Sequence, residues 1–242
     1  MKEKVIEISG LSVKFDGNVI FDNFAMELYR GETLVILGRS GAGKSVLLKC
    51  ITNLLSPDSG KITVLDEEVL DLKEDQLNKL RSHMGFLFQS GALYDSMSLY
   101  ENLLFPLKRN KFINKSNNEE VTERALKSVG LSEARDKMPS ELSGGMRKRA
   151  GLARTLVMEP EIILYDEPTT GLDPFTSTEI SDLIVSVQKS HNNSSIVVTH
   201  DMKCAEIVSD RILVIDEGKN IAEGTFDELK KNKDKRVAHF FQ

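Results

Sequence analysis

The chain has 242 residues, 40% of them hydrophobic and 29% charged, with a formal net charge of −5. That balance is ordinary for a globular domain and gives a nucleic-acid partner no electrostatic support. The two cysteines, Cys50 and Cys204, lack CxxC spacing or a histidine cluster, which excludes a disulfide framework or zinc site and fits a reducing compartment.

The charged N-terminus does not resemble a signal peptide, and no window holds the roughly 18 uninterrupted apolar residues of a membrane span. If the chain works at a membrane, another chain must hold it there. In chain order, the first apolar residues alternate (Val5, Ile8, Leu11, Val13, Phe15), predicting antiparallel strands at a sheet edge. Thr33 to Gly38, "TLVILG", is instead a continuous apolar run, the pattern of a strand buried on both faces.

Directly after it, Gly38-Arg39-Ser40-Gly41-Ala42-Gly43-Lys44-Ser45 fits G-x-x-x-x-G-K-S and leads into the helical "VLLKCITNLL". Its glycines let successive backbone N–H groups converge on phosphate oxygens, and the helix N-terminus adds partial positive charge. Lys44 is expected to reach the β- and γ-phosphates, and the Ser45 hydroxyl to ligate Mg²⁺.

From Ser90 to Val157 the chain is helix-like, with breaks expected at Pro106, Gly130 and Pro139, and reads as an inserted helical subdomain. Within it "ELSGGMRKRAGLAR" carries a second glycine pair, Gly144-Gly145, in front of a helix. The basic runs "MRKRAGLAR" and "KKNKDKR" read as solvated helix faces. Buried-strand runs then return at Ile162 to Glu167, Ser195 to His200 and Arg211 to Asp216, separated by helical stretches at Ser177 to Ser190 and Lys203 to Val208. This alternation predicts a parallel α/β sheet whose ligands sit beyond the strand carboxyl ends. Asp166 and Glu167 stand at one such end: Asp166 is placed to hold Mg²⁺ and Glu167 to polarise an attacking water. His200 ends the next strand, within reach of a γ-phosphate or that water. His83, His191 and His239 have no such context.

"LSGGM" at Leu142 to Met146 resembles the signature sequence of ATP-binding-cassette ATPases. The family's other marks follow the same order: an aromatic at Phe15, the phosphate loop, Gln89 in "FLFQSG", "IILYDEP", "GLDP" at Gly171 to Pro174, and His200 in "THD". The resemblance implies a P-loop NTPase core with an antiparallel β edge and an inserted α-helical subdomain, binding ATP and Mg²⁺. It also implies a reason for two glycine-rich loops. Two copies pack head to tail, so Ser143, Gly144 and Gly145 of one chain close over ATP held by the other. By the same resemblance Phe15 stacks on adenine, Gln89 contacts Mg²⁺ or water, and Asp173 lies at the dimer interface. Met146 departs from the Gln that many members carry, without consequence for the backbone amides.

"LFQSGALYDSMSLYENLLFPL", "MPSELSGGMRKRAGLAR" and "DKRVAHFF" together are similar to the ATPases of mammalian-cell-entry lipid transport systems. That implies an ATPase at the cytoplasmic face of the inner membrane, held by a permease, with a mammalian-cell-entry-domain protein in the complex and no nucleic acid. Leu93, Tyr94 and Met97 are then a dock for a permease helix, or else the insert's own small core; the tail residues Phe240 and Phe241 either grip a neighbouring ATPase or fray.

The expected organisation is a nucleotide-binding core over 1–89 and 158–225, a helical subdomain over 90–157, and a C-terminal helix and tail over 226–242. Transport motors for amino acids, metals or drugs share the fold. Cassette ATPases of DNA repair or ribosomes usually carry coiled-coil arms or two cassettes. A P-loop kinase needs an acceptor site, and the N-K-x-D-like segment of a GTPase is absent from the sequence.

Overall fold

A computed structural model describes residues 2–15, 17–39, 41–110, 112 and 117–241. Ser40 of the phosphate loop lies outside the described residues.

The N-terminal alternation forms β1 (Lys4–Phe15) and β2 (Asn18–Tyr29), paired antiparallel. They are the expected antiparallel strands, and they do not join the parallel sheet. With β4 (Ser59–Val64) and β5 (Glu67–Glu68) they build a sheet of their own, in the order β2-β1-β4-β5. One face of β1 is buried and the other solvated, so these strands make a cover rather than an edge.

The second sheet has six strands in the order β10-β9-β3-β8-β7-β6. Its parallel members are β3 (Thr33–Gly38), β6 (Met84–Leu87), β7 (Ile162–Asp166), β8 (Ser194–Thr199) and β9 (Arg211–Asp216). The antiparallel strand β10 (Lys219–Gly224) closes one side.

Successive residues of the four long parallel strands point into two different cores. Val35, Leu37, Ile163, Tyr165, Val197, Ile212 and Val214 face one; Leu34, Ile36, Ile162, Leu164, Ile196, Val198, Leu213 and Ile215 face the other. Burial on both sides explains why these segments read as continuous apolar runs. Each fully buried Val, Leu or Ile contributes about 1.5–3 kcal/mol.

The second core is covered by the antiparallel sheet with α1 (Lys44–Ile51) and α2 (Glu74–Arg81). The first is covered by α3 (Leu99–Arg109), α4 (Asn118–Ser128), α5 (Gly144–Leu156), α6 (Pro174–His191) and α7 (Met202–Val208). Cys50 and Cys204 are fully buried, one in each core.

Pro106 does not break its helix; it sits inside the last turns of α3. Ser98 caps that helix through a reciprocal pair with Glu101. Asn102, fully buried, accepts from Tyr94 N–H and donates to the carbonyls of Tyr94 and Met97, tying down the loop before α3. Leu93 packs on the core, while Tyr94 stays exposed against Phe105 and beneath Arg154.

The tail forms α8 (Phe226–Lys230) and α9 (Lys235–Ala238), and Phe240 and Phe241 fold back onto the first core, Phe241 edge-on to Phe226. Among the described residues no helix is long and apolar enough to cross a membrane.

Candidate functional site

Strands β3, β8, β7 and β6 are consecutive neighbours running the same way. Their carboxyl ends therefore deliver the phosphate loop, His200, Asp166-Glu167 and Gln89 to one edge of the sheet, where open α/β sheets hold their ligands. A cleft of about 490 Å³ opens there, lined by Gly41, Gly43, Lys44, Ser45, Gln89, Glu167 and His200, with Ile20, Val46 and Thr170.

The phosphate loop is shaped by close approach. Gly43 has φ 88° and caps α1, and a Cβ there would stand 2.5 Å from Ile20 Cγ2 and 3.0 Å from Phe21 Cζ. Only glycine satisfies both the left-handed backbone and the packing of β2 against the loop. A Cβ on Gly38 would come within 3.1 Å of the Ile215 carbonyl. Ala42 N–H donates to the Arg39 carbonyl, closing the turn.

Lys44 is buried, and its Nζ donates to the Gly38 carbonyl at 2.7 Å and the Arg39 carbonyl at 3.3 Å, with Glu167 Oε1 at 3.5 Å. Ser45 Oγ donates to Asp166 Oδ1 at 2.8 Å, across the intervening strand β8. Two hard oxygen donors meet beside the cleft with Gln89 on its wall, a set suited to Mg²⁺ rather than to a softer metal.

Glu167 is held on every side. Its φ of 50° is left-handed, an unusual conformation for a non-glycine residue. Its N–H donates to the Val198 carbonyl; Oε2 accepts from Thr170 Oγ1 at 3.1 Å and lies 2.8 Å from His200 Nδ1. The carboxylate is mostly buried, whereas His200 is well exposed.

The other candidates fall elsewhere. Phe15, at the end of β1 and 40% exposed, is not among the residues lining the cleft. Nor are Ser143, Gly144 and Gly145, which start α5; there Ser143 Oγ accepts from Met146 N–H as the helix cap. The glycine pair is close-packed within the chain. A Cβ on Gly145 would meet Thr176 Cγ2 at 2.6 Å, and one on Gly144 would meet Leu172 Cδ2 at 3.3 Å. Asp173 caps α6, accepting from Phe175 and Thr176 N–H and from the Thr176 hydroxyl. Those bonds hold its carboxyl below the ordinary value, the Thr176 hydroxyl contributing most.

One expectation fails. The run "MRKRAGLAR" is not a solvated face. Arg149 pairs with Glu179, Arg154 donates to the Ala92 carbonyl, and Lys148 is buried. Lys148 Nζ donates to the backbone carbonyls of Gln89 and Glu167. Burial lowers its pKa, opposed by the charges of Asp166 and Glu167. Helical spacing holds the signal for it: Lys148 shares a face with the buried Gly145 and Leu152. Thr170, also overlooked, is recognisable only by its spacing three residues after Glu167. The run at 230–236, by contrast, is largely solvated.

The family model described as ABC transporter matches residues 21–170. Over all 242 residues the chain is 38% identical to the intermembrane phospholipid transport system ATP-binding protein MlaF of Haemophilus influenzae, covering 92% of that protein. It is 40% identical over 207 residues to the probable ribonucleotide transport ATP-binding protein mkl of Mycobacterium leprae, covering 60% of it. It is also 40% identical over 225 residues to the methionine import ATP-binding protein MetN of Clostridium tetani, covering 70% of it.

Among solved structures it resembles cbiO1 of Clostridium perfringens, part of the ABC transporter complex cbiONQ, with TM-score 0.87, 32% identity and coverage of 96% of this chain and 93% of that one. It also resembles the ATP-binding cassette MJ0796, a dimer bound to ADP and Pi, with TM-score 0.82, 28% identity and coverage of 91% and 98%. The phosphate loop, the carboxylates at the end of β7 and these similarities together place the chain in the ABC transporter family, as an ATP-binding subunit that hydrolyses ATP to drive transport.

Proposed function

We propose that this chain is the motor of a phospholipid transporter: a homodimer at the cytoplasmic face of the inner membrane, held by permease subunits that work with a mammalian-cell-entry-domain protein. The observation that carries the cargo is the similarity to the phospholipid transport ATP-binding protein, which runs the whole length of the chain at 38% identity. The 40% identities to mkl and MetN favour a second reading, a motor for nucleotides or amino acids, but cover only 60% and 70% of those proteins.

In the hydrolytic site, backbone N–H groups of Gly38 to Ser45 and the start of α1 receive the phosphates. Lys44 turns from the Gly38 and Arg39 carbonyls onto the β- and γ-phosphates. Ser45, Asp166 and Gln89 hold Mg²⁺, which when bound offsets charge on the phosphate oxygens. A water then attacks the γ-phosphorus; Glu167 takes its proton, and the bond to the β–γ bridging oxygen breaks with its electron pair leaving on ADP. His200 and Thr170, both in contact with the Glu167 carboxylate, keep it aimed. Phe15 stacks on adenine. Ser143, Gly144 and Gly145 of the partner copy close over the γ-phosphate, with Asp173 at the interface. The exposed Tyr94, on the loop fixed by Asn102, faces the permease.

Purifying the tagged chain from its own membranes in mild detergent, with mass spectrometry of copurifying proteins and lipids, tests this. A permease with a mammalian-cell-entry-domain protein and bound phospholipid is the expected result. A permease of another class overturns the cargo, and no membrane partner overturns the transport assignment of the complex.

A further inference from the structure

Lys148 stands one helical turn beyond the glycine pair of α5, buried, with two backbone carbonyls as partners. A buried ammonium is a costly way to fill space, and an apolar side chain of the same length would pack with less penalty. What the ammonium provides is a link. Gln89 and Glu167 lie just past the ends of β6 and β7, adjacent parallel strands whose ladder stops at Leu87 and Tyr165. Beyond that point no strand pairing joins the two segments. The Lys148 ammonium reaches both carbonyls at once and ties them to α5.

The Glu167 backbone explains the geometry. With φ 50° its N–H still completes a bond to β8 through Val198, while its carbonyl accepts from Lys148 at 3.1 Å and, more weakly, from Thr170 N–H at 3.3 Å. The left-handed turn is therefore held from both ends of one residue.

We propose that Lys148 is a positioning residue for hydrolysis: through the carbonyls of Glu167 and Gln89 it transmits the placement of α5 to the carboxylate that activates water. This rests on the reading in which the partner's ATP engages the start of α5. A shift of α5 toward that ATP then draws the Glu167 backbone with it, so the general base is aligned only when the composite site is closed.

The test uses the full chain in its detergent-solubilised membrane complex, comparing wild type, Glu167→Gln, Lys148→Met and Lys148→Gln. Lys148→Met keeps the length of the side chain and removes all donors. The expected result is a kcat lower by about 10- to 100-fold, the cost of a misplaced catalytic group. KM for ATP should stay within about twofold, because Lys148 does not line the cleft and holds Gln89 by its backbone carbonyl only. The complex should also retain unhydrolysed ATP through gel filtration, as is expected of Glu167→Gln, an outcome that mere distortion of α5 does not give. Lys148→Gln, with a neutral and shorter donor, should fall between, and it decides by the same criteria if Lys148→Met does not fold.

A kcat within about twofold of wild type overturns the proposal. So does a rise in KM matching the loss of kcat with no ATP retained. If Glu167→Gln itself retains no ATP, the dimer reading fails instead, and the split between kcat and KM alone decides Lys148.

Discussion

Replacing Gly145 by alanine puts a methyl carbon 2.6 Å from Thr176 Cγ2, where an ordinary contact is 3.4 Å or more. The start of α5 and the start of α6 must then separate by several tenths of an ångström, or Thr176 must leave the rotamer in which its hydroxyl donates to Asp173 at 2.6 Å. Overpacking of this kind costs about 1–3 kcal/mol. Against it stands the better helix propensity of alanine, at most about 1 kcal/mol and less in a first turn. The net expectation is a loss of about 1 kcal/mol, a fall in Tm of about 2–4 °C for a chain of this size. Thermal unfolding and urea midpoints measure it.

The diagnostic is the double variant Gly145→Ala/Thr176→Ser, which deletes the offending methyl and keeps the hydroxyl that bonds Asp173. It should recover most of the loss, giving a coupling of at least about 0.5 kcal/mol in the double-mutant cycle. Additive effects, or a Gly145→Ala chain as stable as wild type, would refute the view that these two helix starts are fixed by direct contact.

Burial pushes the thiols of both Cys50 and Cys204 up to about 11, so neither should react with iodoacetamide in the native chain near pH 8, while both react in urea; fast native labelling of either would contradict their burial. The Thr176 hydroxyl chiefly holds the Asp173 carboxyl below the ordinary carboxylate range. A depressed folded value means its stabilising effect is full above the ordinary carboxylate pKa and is lost as pH falls through the folded one. Asp173→Asn should therefore flatten the acid limb of the urea midpoint below about pH 4, and an unchanged limb would count against the cap. Replacing Phe15 by alanine should raise KM for ATP severalfold, with tyrosine restoring it, if stacking of about 0.5–1.5 kcal/mol is at work; equal KM values for Phe and Ala would remove Phe15 from the site.

The sequence by itself determined the parallel core and which residues stand at the carboxyl edge of its strands. β3, β7, β8 and β9 were legible because strands buried on both faces are continuous apolar runs, and β9 lies at Arg211–Asp216 as read. The convergence of the phosphate loop, Asp166, Glu167 and His200 was legible because each follows directly on a buried strand of one parallel sheet. β6 was missed: a four-residue edge strand, "MGFL", is too short to show a period. The antiparallel strands β1 and β2 were legible from their alternation, but alternation reveals a half-buried strand without revealing which sheet it joins, and their separate sheet is visible only in the structure.

Only the tertiary structure decided what the basic residues after the glycine pair do. Charge along a sequence reads as solvent exposure, yet Lys148 lies inside because two distant backbone carbonyls converge there. The same holds for Ser45 and Asp166, 121 residues apart and joined across a strand, and for Gly145 against Thr176. Such pairs depend on strand order and helix packing, which arise from long-range burial and leave no mark on the local sequence.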